Sequence, residues 1–158
     1  MSLFHNAPLW VAIFSIFFAQ FVKIPIHYLA SREVDWKLFT STGGMPSSHS
    51  AAVSSLATAI GFEHGFDSSI FAVAAVFAII VMFDASGVRF QAGQQAVVIN
   101  QMRTDFRNFI QTTREWPQKD EQQKIEELKT LLGHKPSEVY AGALTGIFLS
   151  VILYAFVL

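Results

Sequence analysis

Gly43-Gly44-Met45-Pro46-Ser47-Ser48-His49-Ser50 leads directly into Ala51-Ala52-Val53-Ser54-Ser55-Leu56-Ala57-Thr58-Ala59-Ile60. It is a glycine-rich turn breaking into an apolar helix of small residues. The N–H groups in the first turn of a helix lack intrahelical partners, and the helix dipole favours negative charge there. Such a turn can cradle a phosphate, and His49 adds a side chain that exchanges protons near neutral pH. Glycine and serine are equally ordinary helix-capping residues, so both readings stand at this point. The small residues that follow suit close helix–helix contact better than exposure to lipid.

The composition around this turn points to a membrane. Of 158 residues, 52% are hydrophobic and Phe alone fills 16 positions. Only 15% are charged, against roughly 25% in an ordinary soluble domain. The charges are clustered, leaving long stretches with almost none. This predicts an all-α integral membrane helical bundle, a single domain over residues 1–158. A net charge of −1 without a basic stripe of interleaved aromatics excludes nucleic acid as a partner. With no cysteine, disulfides, thiolate catalysis and Cys-based zinc sites are excluded. The first apolar run carries neither a basic leader nor a small-residue cleavage site, and is read as a retained helix.

Four spans are predicted, over about 8–30, 46–62, 69–83 and 139–158, the last near the roughly 20 residues a spanning helix needs. Gly142 and Gly146 give the fourth a small-xxx-small face for tight packing. Between spans three and four lies a polar, amphipathic insert over 90–132. Val98, Met102, Phe106, Phe109 and Ile110 share one helical face, with Arg103, Arg107 and Arg114 elsewhere around it. Pro117 interrupts, and Ile125, Leu128, Leu131 and Leu132 mark a second helix. The pair either lies on the membrane surface or over the site, or forms a water-soluble hairpin with no ligand role. All eleven Lys and Arg residues fall at one end of this bundle. The positive-inside rule places that end and the insert in the cytoplasm, and both termini outside.

This threading brings four polar segments to one membrane face: 23–32, 46–49, 84–89 and 133–138. Ionisable residues at membrane depth are costly and usually functional. His134 and Glu138 are four apart after Pro136, so both side chains share a helical face and Glu138 can reach back to the ring. A carboxylate on one imidazole nitrogen fixes the tautomer and frees the other as a nucleophile. A first-turn acidic cap explains Glu138 alone but leaves His134 unexplained. Lys23, Arg32 and Arg89 are candidate anion clamps. Against these stand snorkelling for Lys23, a basic flank for Arg32, and an ion pair with Asp84 for Arg89. His27 fits the pocket or a helix end, and His5 and His64 fall on the far face. A zinc site on His49, His134 and a carboxylate matches by ligand type, but the serine-rich turn and surplus cations suit an anion better than a metal.

These residues resemble the type 2 phosphatidic acid phosphatase family, related to the vanadium-dependent haloperoxidases, and in particular its divergent, compact bacterial branch. Its Pro-Ser-Gly-His motif is matched by Pro46-Ser47-Ser48-His49, and its His-x-Pro-Ser-Asp-Val-x-Ala-Gly motif by His134-Lys135-Pro136-Ser137-Glu138-Val139-Tyr140-Ala141-Gly142. Two departures stand out. Lys23 and Arg32 are more widely spaced than the first motif's Lys and Arg, with no Pro after them. The Ser-Arg that normally shortly precedes the motif histidine has its local counterpart in Ser86-Gly87-Val88-Arg89, as though the insert had split the motif.

The resemblance implies a metal-independent hydrolase of lipid or polyprenyl (pyro)phosphates in the bacterial cytoplasmic membrane. His134 would be the nucleophile, oriented by Glu138, and His49 the proton donor and acceptor. Lys23, Arg89, Arg32, Ser47 and Ser48 would hold the phosphate, with Asp84 and Gly44 in support. No cofactor is implied, and vanadate is expected to inhibit. Membrane lipids are the expected surroundings, and a homodimer the expected assembly, since four short helices are few for burying these polar groups. An inactive membrane scaffold, or a phospholipid-binding or transport protein that keeps the pocket, is the alternative.

Overall fold

A computed structural model describes residues 3–41, 43–113 and 133–157. The described residues form five α-helices: α1 (Ala7–Ser31), α2 (Ser48–His64), α3 (Ser69–Ser86), α4 (Val88–Thr113) and α5 (Pro136–Phe156). Short 3₁₀ turns cover Leu3–His5 and Trp36–Thr40, and no strand occurs among the described residues. The class is all-α, as expected.

Local chemistry starts each helix. Asn6 caps α1, its side-chain oxygen accepting from the Leu9 N–H at 3.1 Å. Pro8 occupies the first turn, where a missing N–H costs nothing. Ser47 and Ser68 cap α2 and α3, accepting from the N–H groups of Ser50 (3.3 Å) and Phe71 (3.2 Å). α1 ends where Arg32 turns left-handed (φ 62°) and returns its N–H to Tyr28.

α2 is the hub, packed against α1, α3 and α5. Ala51, Ser55 and Ala59 along it are wholly buried. α5 crosses α2 at two glycines: a Cβ on Gly142 would overlap the Ser47 carbonyl oxygen, and one on Gly146 the Ala51 carbonyl and Ser54 Oγ. The small-xxx-small face is therefore the α2–α5 contact. Hydroxyls lock it, with Ser54 Oγ donating to the Ala143 carbonyl (3.0 Å) and Ser150 Oγ to the Ser55 carbonyl (2.8 Å). Such bonds between membrane helices are worth about 0.6 kcal/mol each on average.

Three helical stretches are long and apolar enough to cross a membrane: Ala7–Leu29, Ser69–Asn108 and Pro136–Phe156. Four spans were expected, and α2 is the one missing. It has 17 residues rich in serine and alanine, a composition open to a helix enclosed by its neighbours. The third predicted span runs on past Phe83, to Ser86, and bends at Gly87, whose N–H bonds the Phe83 carbonyl at 2.8 Å. The Gln91 N–H bonds the Gly87 carbonyl at 2.9 Å, so the chain resumes at once as α4. Arg89 thus stands in a first helical turn. Val98, Met102 and Phe106 are exposed on α4. Arg114, Pro117 and the second predicted helix of the insert lie outside the described residues.

Candidate active site

The end of α1 is joined to the turn before α2 by a buried lysine. Lys23, only 2% exposed, donates from Nζ to the carbonyls of Gly43 (2.9 Å) and Ser41 (3.3 Å). Ser41 Oγ donates to the Gly43 carbonyl (3.0 Å) and accepts from the Gly43 N–H (3.2 Å). Gly44 has φ +89°, a left-handed conformation that favours glycine. Lys23 and Ser47, both expected on a phosphate, therefore have a first task in the turn itself. Two of the three ammonium donors go to backbone carbonyls, and Ser47 Oγ caps α2 while accepting from Ser50 Oγ at 3.1 Å.

Hydrogen bonds tie three of the four polar segments together. The Ser47 N–H donates to the Glu138 carbonyl at 3.0 Å, joining the α2 turn to α5. The His134 N–H donates to the Ala85 carbonyl at 2.9 Å, joining the approach to α5 to the end of α3. Gly133 makes that approach possible: its φ is +79°, and a Cβ there would overlap the backbone of Arg89 and Phe90. Sequence reasoning missed this glycine, although its place just before a candidate histidine was a usable signal.

Glu138 does both things between which the sequence left a choice. Its Oε2 accepts the Lys135 N–H at 3.2 Å, capping α5, and lies 3.1 Å from His134 Nδ1. A carboxylate only accepts, so Nδ1 carries the proton, an assignment made from this contact. His134 is 3% exposed, and its Nε2 is buried without a hydrogen-bond partner among the described residues. Burial pushes the imidazole below the usual histidine range. The hydrogen bond and charge of Glu138 pull it back, while Lys23 and His49 add to the lowering. The neutral ring thus presents an unshared electron pair at Nε2.

The His49 ring, in the first turn of α2, lies 6.2 Å from that of His134 between centroids, tilted by 58°. Burial, and then the charges of Arg89 and Lys23, push its imidazole below the usual histidine range. A cavity of about 310 Å³ lies against the two histidines, lined also by Asp84, Arg89, Gly133, Ala85, Ile80 and Val81. Arg89 donates from Nε to Asp84 Oδ2 across the Gly87 bend, leaving its terminal nitrogens free of that bond. Ser48 is buried beside His49. Arg32 is an exposed helix cap and does not line the cavity. Nor does His27, whose carbonyl accepts from Ser31 Oγ. His64 sits at the other end of α2, near Glu63.

Residues 4–149 match the Divergent PAP2 family. The chain belongs to this family. It is also 53% identical over 156 residues, 99% of either chain, to the uncharacterized membrane protein YuiD of Bacillus subtilis (strain 168). No solved structure matches it. This divergent PAP2 protein is thus an integral membrane protein. Its cavity gathers side chains or backbone from the α2 turn, the α3–α4 bend and the segment entering α5, with Lys23 of α1 directly behind. The histidine and carboxylate of the third motif are in contact, and Arg89 lines the same cavity as that histidine.

Proposed function

We propose that this divergent PAP2 protein hydrolyses a lipid or polyprenyl (pyro)phosphate through a phosphohistidine. The reading is carried by His134, whose Nδ1 is held by Glu138 while Nε2 is buried beside the cavity, unpartnered among the described residues. In the first step the Nε2 electron pair attacks phosphorus. The phosphorus–oxygen bond to the lipid alcohol breaks, and the departing oxygen takes a proton from His49. In the second, water returns a proton to His49 and attacks phosphorus. The phosphorus–nitrogen bond breaks, inorganic phosphate leaves, and His134 is restored.

Arg89 and the first-turn N–H groups of α2 around Ser48 hold the phosphoryl oxygens, with Lys23 adding positive charge from behind the turn. Preorganised charge of this kind is usually the largest catalytic term in phosphoryl transfer. The reaction as written draws on no metal. Purified protein should release phosphate from a panel of lipid phosphates, with inhibition by vanadate and none by chelator. Rapid quenching should trap a phosphoprotein that is acid-labile and base-stable. His134→Ala should abolish both, and Arg89→Ala should lower release. Release that survives His134→Ala in a folded protein would overturn the mechanism.

A phospholipid-binding protein without turnover is the second reading, favoured by one observation. Asp84 engages Arg89, and the Ser41 and Gly43 carbonyls engage Lys23, so both cations already have partners. Vanadate binding without phosphate release from any lipid would support it.

A further inference from the structure

The cavity is polar at one end and apolar at the other, and the apolar end belongs to one helix. Ile80 and Val81 of α3 form it, whereas the segment entering α5 supplies only Gly133 and His134. Ile80 lines the cavity yet is 59% exposed, so the cavity opens sideways along α3. Residues three, four and seven positions before Ile80 lie on the same helical face. These are Phe77, Val76 and Val73, all exposed and apolar. Together they extend the cavity wall as an unbroken apolar strip for ~10 Å down the helix axis. α3 lies within a stretch long and apolar enough to cross a membrane, so this strip runs at hydrocarbon depth, away from the charged end.

From this continuity we infer that α3 carries the tail lane: a single hydrocarbon chain lies along Ile80, Phe77, Val76 and Val73 while its phosphate sits between His134, His49 and Arg89. The inference rests on the reading of that pocket as a phosphate site. Charge and polarity match end to end, with cationic and proton-transferring groups at the headgroup and only carbon below it. One chain is assigned because every apolar side chain lining the cavity, Ile80, Val81 and Ala85, comes from α3. The substrate class is a single-chain lipid phosphate, prenyl or alkyl, in preference to a diacyl phosphate.

The test uses the full-length protein in lipid nanodiscs and an alkyl phosphate bearing a photoactivatable diazirine midway along its chain. Cross-links mapped by mass spectrometry should fall on residues 73–81, should exceed those from the matching alkyl alcohol, and should be suppressed by orthovanadate. Equal labelling by the alcohol, or phosphate-dependent labelling on α1 or α5 with α3 spared, would overturn the lane. In turnover, Ile80→Trp should lower kcat/KM for dodecyl phosphate relative to p-nitrophenyl phosphate by about tenfold, the effect of roughly two methylenes denied burial. Val151→Trp, an addition larger by one carbon at an exposed position of α5, should leave that ratio unchanged. An unchanged ratio in Ile80→Trp, or faster turnover of a diacyl phosphate than of dodecyl phosphate, overturns the proposal. The two readings fail separately. Vanadate-sensitive α3 labelling without phosphate release sinks hydrolysis and leaves the lane, whereas release with labelling elsewhere sinks the lane and leaves hydrolysis.

Discussion

Replacing Glu138 by Gln is the sharpest probe of how the His134 pair works. Its Oε2 lies 3.1 Å from Nδ1 and also takes the Lys135 N–H. A glutamine amide oxygen can occupy the same place and accept both bonds, so the cap and the tautomer survive. What disappears is the negative charge. Once Nε2 bonds to phosphorus, the ring with its Nδ1 proton becomes cationic, and a carboxylate beside it stabilises that charge. Two unit charges about 4 Å apart interact by about 4 kcal/mol at an effective dielectric constant near 20. At 1.36 kcal/mol per tenfold, that is a rate loss of roughly a thousandfold. Phosphate release from micellar lipid phosphate by Glu138→Gln, beside a thermal melt, measures it. The melt should move little, because both hydrogen bonds remain. A variant within about threefold of the parent rate, with an unchanged melt, would refute the charge argument.

The depressed titration of His134 predicts an acid limb. Protonation consumes the Nε2 pair, so activity should be lost as pH falls, with a midpoint below the ordinary histidine value near 6.5. The same group binds protons more readily unfolded than folded, so its contribution to stability is present above about pH 6.5 and lost below it, a trend that melting temperature against pH will show. Glu138→Gln removes an influence that raises the His134 value and should move the acid limb to still lower pH. Gly146→Leu should destabilise the bundle by ~1–3 kcal/mol through overpacking at the α2–α5 crossing, read from thermal unfolding in detergent. Lys23→Met should cost ~2–3 kcal/mol by leaving the Ser41 and Gly43 carbonyls without their ammonium. Lys23→Arg should not restore the protein, because a planar fork does not fill the place of a compact ammonium.

The helices are legible in the chain because their starting signals are local. Asn6 with Pro8, Ser47 before a run of small residues, and Pro136 after a lysine each act within one turn of the residue that carries them. The His134–Glu138 contact is legible for the same reason, being a spacing on a single helix. The rest depends on partners distant in sequence. Gly133 must be small because the backbone at Phe90 occupies the space a Cβ would need; its place before His134 marks it out, but the neighbour that requires it is distant in sequence. Lys23 looks like a free cation until the Ser41 and Gly43 carbonyls come round to meet it. The α3–α4 bend was hidden for a different reason. The Gly87 N–H closes the last helical bond of α3 to Phe83 and its carbonyl accepts the first of α4 from Gln91, so the chain turns the corner with no loop between the helices.

On the proposed reading, that corner lets an interrupted motif serve one phosphate. In the wider phosphatase pattern the arginine comes a few residues before the histidine, so local chain geometry sets their separation. Here α4 intervenes, and Arg89 and His134 are distant in sequence. Two contacts restore what the short connection would have supplied. The His134 N–H is bonded to the Ala85 carbonyl, and Gly133 packs directly on the Arg89–Phe90 backbone. Asp84 then holds the guanidinium across the Gly87 bend. An insertion between two residues of a site is tolerable when its ends are pinned to each other. The hydrogen bond and the glycine contact do that pinning, so α4 can extend from the bundle without carrying the arginine away from the histidine.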